Sequence, residues 1–279
     1  MNLFFEALKA VLFGIVEGIC EWLPISSTGH MILLDEIVRL QMSEAFLSMF
    51  EVVIQLGAIL AVILVFWDSI WPFAKPGKGK GLLRMDVVFR WILIVLAILP
   101  SAVVGLPLDD WLDAHLHTPV VVSIMLIVYG VAFIAAERFL LPGRHPRVSA
   151  LSELDIKTAL MIGLFQVLAL IPGTSRSGAT ILGGILCGCS RAVAAEFTFL
   201  MAIPTMAGAS LVKLLKFGLP FTPQELVVLA VGCVTAFIVS ILTIRTLLGY
   251  IKRHSFEVFG WYRIILGLIV AIVTVIKSF

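Results

Sequence analysis

Six long apolar stretches constrain the fold of this chain more than any other feature. They cover approximately 47–67, 89–106, 119–137, 193–216, 225–248 and 258–277. Each is close to the roughly 17–25 residues that a helix needs to cross a bilayer. The 279 residues are 61% hydrophobic and 14% charged, whereas about half of an ordinary soluble domain is apolar. We therefore expect an all-α polytopic membrane protein, with residues 1–279 forming a single membrane domain.

Two further apolar regions are too short to span, because polar residues interrupt them. Region 1–42 is broken by PISSTGH at 24–30, and region 157–190 is broken by PGTSRSGAT at 172–180. Each is typical of a helix, a polar loop and a second helix that enters the bilayer and turns back. Irregular backbone is tolerated at that depth only where protein buries it or where it lines a wet cavity. The sequence thus predicts two re-entrant hairpins in addition to six full spans.

The two interrupted regions resemble each other. GIVEGICEWLPISSTG at 14–29 and GLFQVLALIPGTSRSG at 163–178 share a glycine, a Glu or Gln, a proline, a hydroxyl cluster and a final glycine. Three spans follow each segment, and an odd number of spans turns the second copy upside down. We therefore expect an inverted-topology repeat formed by residues 1–138 and 157–279, with both termini outside the cell.

Charged residues between the spans predict the orientation. Basic residues gather near 68–90, including Lys75, Lys78 and Lys80, and also near 138–157 and 245–257. The stretch 107–118 carries Asp109, Asp110 and Asp113 and no lysine or arginine. The positive-inside rule places the basic loops in the cytoplasm and the acidic loop outside, although Lys213 and Lys216 run against it. Because the basic residues serve topology and the net charge is only +2, the expected partner is the bilayer and not nucleic acid.

A pair of carboxylates precedes the first polar loop. Glu17 and Glu21 are four residues apart and therefore share one helix face. Two carboxylates in an apolar setting repel each other, and they persist if they are protonated, paired or bound to a cation. Oxygen ligands suit Mg²⁺ or Ca²⁺, so we expect a divalent cation as cofactor. The alternative is that the pair solvates a helix facing a wet cavity.

The first loop adds hydroxyl groups and an imidazole. Ser26 or Ser27 is the expected N-cap of a helix that starts near Gly29. A single histidine is often a packing residue. Beside two carboxylates and several hydroxyls, however, His30 is a stronger candidate for general acid/base or nucleophilic chemistry.

The second loop has the composition of an anion site. Arg176 is surrounded by hydroxyl residues just before a helix expected to start near Gly178. Free N–H groups at a helix N-terminus and a planar guanidinium both suit phosphate. The alternative is an ion pair between Arg176 and Glu17 or Glu21. The Walker, HExxH and GxSxG patterns are absent from the sequence.

The two motifs together, EGICEWLPISSTGH at 17–30 and PGTSRSGAT at 172–180, closely resemble those of the bacterial undecaprenyl-diphosphate phosphatases of the bacitracin-resistance (BacA) family. The resemblance covers essentially the whole chain and includes VVIQLGA at 52–58. It implies hydrolysis of undecaprenyl diphosphate to undecaprenyl phosphate and inorganic phosphate, with a divalent cation. This activity would recycle the lipid carrier for cell-wall synthesis and confer bacitracin resistance.

The corresponding expectation for the site assigns a role to each group. A cation held by Glu17 and Glu21 binds the diphosphate, and Arg176 stabilises charge on the terminal phosphoryl group. Ser27 attacks or positions a water, with His30 as proton acceptor; His30 as the nucleophile is the alternative. The residues expected to bind phosphate are Ser26, Thr28, Gly173, Thr174, Ser175, Ser177, Thr180 and Gln55, although a helix–helix contact is an equally good interpretation of Gln55.

A second class of function fits the same architecture. Inverted repeats with broken helices are typical of transporters, so a lipid-carrier flippase, alone or combined with hydrolysis, is the alternative hypothesis. For a phosphatase we expect a site on the external side, because the first hairpin is predicted to enter from there. A monomer and a homodimer are both compatible with the sequence.

Overall fold

The computed structural model describes residues 3–74, 82–218 and 221–277, and its regular elements there are helices. In chain order they are α1 (Leu3–Cys20), α2 (Ser27–Ile37), α3 (Glu44–Val53), α4 (Gln55–Val65), α5 (Trp67–Ile70), α6 (Met85–Leu116), α7 (Pro119–Ala135), α8 (Ile156–Leu168), α9 (Arg176–Leu186), α10 (Arg191–Phe217), α11 (Pro223–Ile251) and α12 (Glu257–Lys277). A π-helical turn, Ala136–Leu140, extends α7, and a 3₁₀ turn, Leu151–Glu153, precedes α8. The expected all-α class is confirmed.

Six helical segments in the described ranges are long and apolar enough to cross a membrane, as the sequence predicts. They are Glu44–Val65, Met85–Leu108, Pro119–Leu140, Arg191–Phe217, Pro223–Ile251 and Glu257–Lys277. The first contains a turn at Ile54, where α3 ends and α4 begins.

The prediction of a loop over 107–118 is wrong, because α6 continues through Pro100 and Pro107 to Leu116. Lys75, Lys78 and Lys80, on which the predicted orientation partly depends, lie outside the described residues, as do the side chains of Asp109 and Asp113.

Each interrupted region forms two helices joined by a loop. α1 and α2 flank the first loop, and α8 and α9 flank the second. The second helix of each hairpin begins earlier than the sequence suggests: α2 begins at Ser27 instead of near Gly29, and α9 at Arg176 instead of near Gly178. The sides from which the hairpins enter, the positions of the termini and the bounds of the two repeats stay predictions.

The hairpins are held by close helix packing across the two halves of the chain. α1 lies along α11, α8 lies along α6, and α7 lies along α12. A Cβ on Gly14 would lie 2.7 Å from the carbonyl oxygen of Gly232, and a Cβ on Gly163 would lie 2.1 Å from that of Ala97. Glycine at these crossings lets the backbones approach, which is how helices associate in a membrane. The first helix of each hairpin is thereby fixed against a span of the other half.

Aromatic packing fixes the first loop against α10. Trp22 is fully buried directly after Glu21, and its ring meets that of Phe199 on α10 edge-to-face, with 5.3 Å between ring centroids. Such pairs stabilise a fixed geometry beyond the area they bury. The residues on either side of Trp22 are therefore held against α10, which also contacts the second loop.

Candidate active site

The carboxylate pair lies where α1 ends. Glu17 is in the last turn of α1, and Glu21 is in the turn that follows; both are buried, at 1% and 7% exposure. Glu17 is repelled electrostatically by Glu21 and by Glu51 of α3. Its Oε1 atom is fully buried and has no hydrogen-bond partner. A carboxylate oxygen in that position requires a proton or a cation.

Arg176 of the second loop meets Glu21 of the first. Its Nε and Nη2 atoms both donate to Oε1 of Glu21, at 3.2 and 3.0 Å, and its Nη1 donates to the carbonyl of Thr198 at 3.0 Å. The two side chains are only 12% and 8% exposed. The ion pair considered from the sequence is therefore present, and it joins the two motifs across 155 residues of chain.

The two serines before the second helices share an unusual backbone. Ser26 has φ of 73° and Ser175 has φ of 68°, and no other non-glycine residue in the described ranges has positive φ. Such a conformation costs about 1–3 kcal/mol and persists only where surrounding contacts fix it. Both serines lie at the thirteenth position of the matching segments 14–29 and 163–178. The strained turns thus occur at equivalent places in the two loops.

The hydroxyl groups of the first loop differ in their roles. The Ser27 hydroxyl donates to Oε2 of Glu21 at 3.4 Å. Ser26 occupies the N-cap position of α2, but its side chain makes no capping bond, and its Oγ is buried without a partner. Ser26 is thus the N-cap residue by position, as the sequence suggests, but its hydroxyl does not supply the capping hydrogen bond. Thr28 follows in the first turn of α2 and is half-buried.

Hydroxyl groups in and after the second loop are engaged in hydrogen bonds. Ser175 accepts a hydrogen bond from the Gly178 N–H at 3.1 Å and so caps α9. Ser177 donates to the carbonyl of Leu23 in the first loop at 3.2 Å. Thr180 donates to the carbonyl of Arg176 at 2.8 Å. These bonds fix the start of α9, and with it the base of the Arg176 side chain.

His30 contacts neither the carboxylate pair nor Arg176 through a hydrogen bond. Its Nδ1 lies 2.7 Å from the carbonyl of Ser26, and its Nε2 lies 2.7 Å from the hydroxyl of Tyr262. Since a carbonyl only accepts, Nδ1 carries the proton. The role of His30 as proton acceptor stays a prediction, and Glu21 is the acceptor that Ser27 contacts in this structure.

Sequence reasoning missed the two residues of α12 that reach the loops, Tyr262 and Arg263. Arg263 is fully buried and donates to the carbonyls of Pro24, Gly173 and Thr174. The signal that could have found Arg263 is a charged residue inside the apolar run 258–277, since an ionisable residue within a span is a functional candidate by default.

The two glutamines lie outside this network. Gln55 is the half-buried first residue of α4, and within the described chain its side chain makes no hydrogen bond to either loop. Gln166, at the repeat position that matches Glu17, donates to Ser101 of α6 at 2.6 Å. Gln166 therefore serves contact between helices, and binding by Gln55 stays a prediction.

The site residues fit a divalent cation that shares its shell with a phosphate. Over residues 3–74, 82–218 and 221–277, no group of three or more His, Cys, Asp or Glu side chains could hold a metal on its own. Mg²⁺, however, is commonly bound by one or two carboxylates together with substrate phosphates and water. Glu17 offers a free oxygen for this purpose, and the buried, unpartnered hydroxyls of Ser26 and Thr174 lie in the two loops.

Comparison with known proteins gives one consistent result. A family model described as "Bacitracin resistance protein BacA" matches residues 10–269. A protein of Enterococcus faecalis named undecaprenyl-diphosphatase is 57% identical, covering 98% of this chain and 99% of the relative. Proteins of the same name from Lachnoclostridium phytofermentans and Desulfitobacterium hafniense are 54% and 55% identical, covering 96% and 95% of this chain and 97% and 95% of the relatives.

Proposed function

This chain belongs to the bacitracin resistance protein BacA family, and we propose that it hydrolyses undecaprenyl diphosphate to undecaprenyl phosphate and inorganic phosphate. The observation that carries the proposal is the contact of two Arg176 N–H groups with one oxygen of Glu21, which brings an anion-binding loop against a carboxylate pair among six apolar spans. The diphosphate binds between the loops, and the prenyl chain lies in the bilayer. The protein is a multi-pass membrane protein, and its location is the bacterial cell membrane.

Arg176 binds the terminal phosphoryl group. In the resting protein its fork is occupied by Glu21, so substrate phosphate competes with that carboxylate for the same N–H groups. Arg176 is also the first residue of α9, and the N–H groups that a helix N-terminus leaves free favour an anion. Together they stabilise the negative charge that develops on the phosphoryl oxygens.

Ser27 is the proposed nucleophile. Its Oγ forms a bond to the terminal phosphorus, the anhydride bond breaks, and undecaprenyl phosphate leaves with the bonding electrons. The proton of Ser27 passes to Glu21, which it already contacts at 3.4 Å, or to His30 if the contact with Tyr262 opens. Water then attacks the phosphorus, the bond between Ser27 Oγ and phosphorus breaks, Oγ regains the proton, and inorganic phosphate is released. Attack by His30 or by water directly are the alternatives.

Glu17 and Glu21 would hold a divalent cation. When bound, the cation neutralises diphosphate charge that the single guanidinium leaves uncompensated. Ser26, Thr28, Thr174, Ser175, Ser177 and Thr180 orient the phosphates through hydroxyl groups, and Gly173 allows close approach of the backbone. We place the site on the external side, because the first hairpin is expected to enter from there.

Phosphate release tests the function. Purified protein in detergent is given undecaprenyl diphosphate with Mg²⁺, with Ca²⁺ or with EDTA. We expect cation-dependent release, and we expect Glu21→Ala to lower it by about 100-fold or more. Glu44→Ala, which truncates an exposed glutamate in the first turn of α3, is the matched control and should keep its activity.

No release by folded wild-type protein would overturn the hydrolase and direct attention to lipid translocation in liposomes. The flippase alternative has no comparable support, since the relatives are named as diphosphatases.

The nucleophile is identified by trapping. A single turnover with substrate labelled in the terminal phosphoryl group is quenched, and the label is mapped. Label on Ser27 supports the proposed route, and acid-labile label on His30 supports the histidine route. No labelled protein at any time point supports direct attack by water.

A further inference from the structure

Arg263 lies between the two polar loops and holds both of them. Its Nη1 donates to the carbonyl of Pro24 at 3.2 Å, and its Nη2 donates to those of Gly173 and Thr174 at 2.8 and 2.9 Å. Pro24 and Gly173 are each the eleventh residue of the matching segments 14–29 and 163–178. One guanidinium therefore binds equivalent backbone positions in both halves of the chain.

In the part of the chain that the structure describes, Arg263 is buried without a carboxylate partner because backbone carbonyls accept its N–H groups. The loops contain non-helical backbone among apolar spans, and buried carbonyls there need donors. Arg263 supplies several N–H groups from one side chain, and its guanidinium also lies 5.4 Å from the ring centroid of Tyr129. None of the ion pairs between described residues includes Arg263. Its Nη2 also donates to the carbonyl of Met125 on α7 at 3.4 Å, so its charge is directed at the two loops and at α7.

Tyr262, the residue before Arg263, makes a further connection to the first loop through His30. The Tyr262 hydroxyl donates to Nε2 of His30 at 2.7 Å, and the two rings stack with 5.6 Å between centroids and 10° between planes. The Nδ1–H of His30 in turn donates to the carbonyl of Ser26, the residue with the strained backbone. Both ring nitrogens of His30 are therefore occupied in this structure.

We propose that Tyr262 and Arg263 form a positioning pair that fixes the two active-site loops against each other. Arg263 binds the carbonyl two residues before Ser26 and the carbonyls of the two residues before Ser175, and Tyr262 reaches the carbonyl of Ser26 through His30. The residues that follow the two strained serines are Ser27 and Arg176, the proposed nucleophile and the phosphate-binding side chain. Among the described residues, neither Tyr262 nor Arg263 forms a hydrogen bond with Ser27 or Arg176, and the pair acts by setting the distance between them. This inference rests on the proposed function.

Conservative substitutions test the pair by kinetics. Arg263→Lys keeps the charge but loses the fork that spans both loops. A loss of alignment of about 1 Å lowers turnover by about 100-fold, so we expect kcat to fall by that order while KM stays within about threefold. Tyr262→Phe removes one hydrogen bond and should lower kcat roughly 3- to 10-fold.

Matched variants separate positioning from general destabilisation. Arg191→Lys alters the first residue of α10, an arginine that binds Glu137 outside the two loops. Tyr250→Phe alters a tyrosine stacked on His254. Both should keep wild-type kcat. If folded Arg263→Lys protein turns over normally, Arg263 is only structural and the proposal fails. If Arg263→Lys does not fold, Tyr262→Phe decides, and normal kcat in that variant overturns the pair.

A double-mutant cycle tests whether Tyr262 acts through His30. In a His30→Ala background, Tyr262→Phe should cause no further loss of kcat; a loss that simply multiplies would contradict the proposed route.

A measurement without substrate keeps this inference separate from the proposed function. Nitrogen-15 NMR of histidine-labelled protein, with His30 assigned through a His30→Gln variant, reports hydrogen bonding at both ring nitrogens. We expect Tyr262→Phe to shift the Nε2 signal of His30. An unchanged signal would overturn the contact even if the enzyme is active, whereas a shifted signal in a protein that releases no phosphate would sustain the contact and refute the hydrolase.

Discussion

Replacing Arg176 by lysine removes the planar fork while keeping the positive charge. Arg176 makes three hydrogen bonds, two to one oxygen of Glu21 and one to the carbonyl of Thr198. A lysine ammonium donates from a single nitrogen and does not serve both places, so the side chain loses its anchor on α10. It also loses the paired N–H groups that match two phosphoryl oxygens. The substitution therefore acts on geometry at constant charge.

The magnitude follows from the transition-state contact that is lost. Removing one preorganised donor to a developing oxyanion costs about 10²–10³ in kcat, or about 3–4 kcal/mol. We expect Arg176→Lys to fall in that range under saturating substrate. Binding should weaken less, because the retained ammonium still attracts the diphosphate.

The assay is steady-state phosphate release by monodisperse protein, compared with Arg138→Lys. Arg138 is a half-exposed arginine bound to Glu257, and an exposed ion pair contributes at most about 1 kcal/mol, so that variant should behave as wild type. An Arg176→Lys protein that keeps more than about one tenth of wild-type kcat would refute the assignment of Arg176 to the phosphoryl group.

Three further substitutions test the cation site, a helix crossing and a helix cap. Glu17→Gln should raise the Mg²⁺ concentration for half-maximal activity by about tenfold or more, and superimposable titrations would remove Glu17 from the cation site. Gly163→Ala places a Cβ 2.1 Å from the carbonyl of Ala97 and should destabilise by about 1–3 kcal/mol in thermal unfolding, whereas Gly208→Ala, with open space around it, should not; equal melting would contradict the packing. Hydrogen bonds from the first turn of α8 lower the pKa of Asp155, so its capping contribution is present at neutral pH and lost as the pH falls through that lowered value. Asp155→Ala should then reduce Tm at neutral pH more than in strong acid, and an equal reduction would argue against the cap.

The six spans and the two loops were predictable because their signals are local. A run of about 20 apolar residues has few alternatives to a spanning helix, and polar clusters such as PISSTGH and PGTSRSGAT stand out against apolar flanks. The loop over 107–118 was mispredicted for the same reason. Its prolines and acidic residues are typical of a loop, but α6 runs through them to Leu116.

The starts of α2 and α9 were predicted too late because the turns that precede them depend on tertiary contacts. Ser26 and Ser175 adopt positive φ, a conformation that sequence patterns assign to glycine. The strain is tolerated because tertiary contacts fix it. At Ser26 that contact comes from His30, and no periodicity in the sequence signals it.

The sequence by itself determined the membrane class, the number of spans and the two polar loops, and it left open whether Arg176 binds an anion or pairs with Glu17 or Glu21; the structure selects Glu21. These expectations follow from hydropathy and from the cost of an unpaired charge among apolar residues. Only the tertiary structure decided that the Ser27 hydroxyl meets Glu21 and that Tyr262 and Arg263 join the loops. The contacts of Tyr262 and Arg263 link residues as far as 239 positions apart, and they depend on how α12 packs beside α7 and α2. Local composition carries no information about that packing.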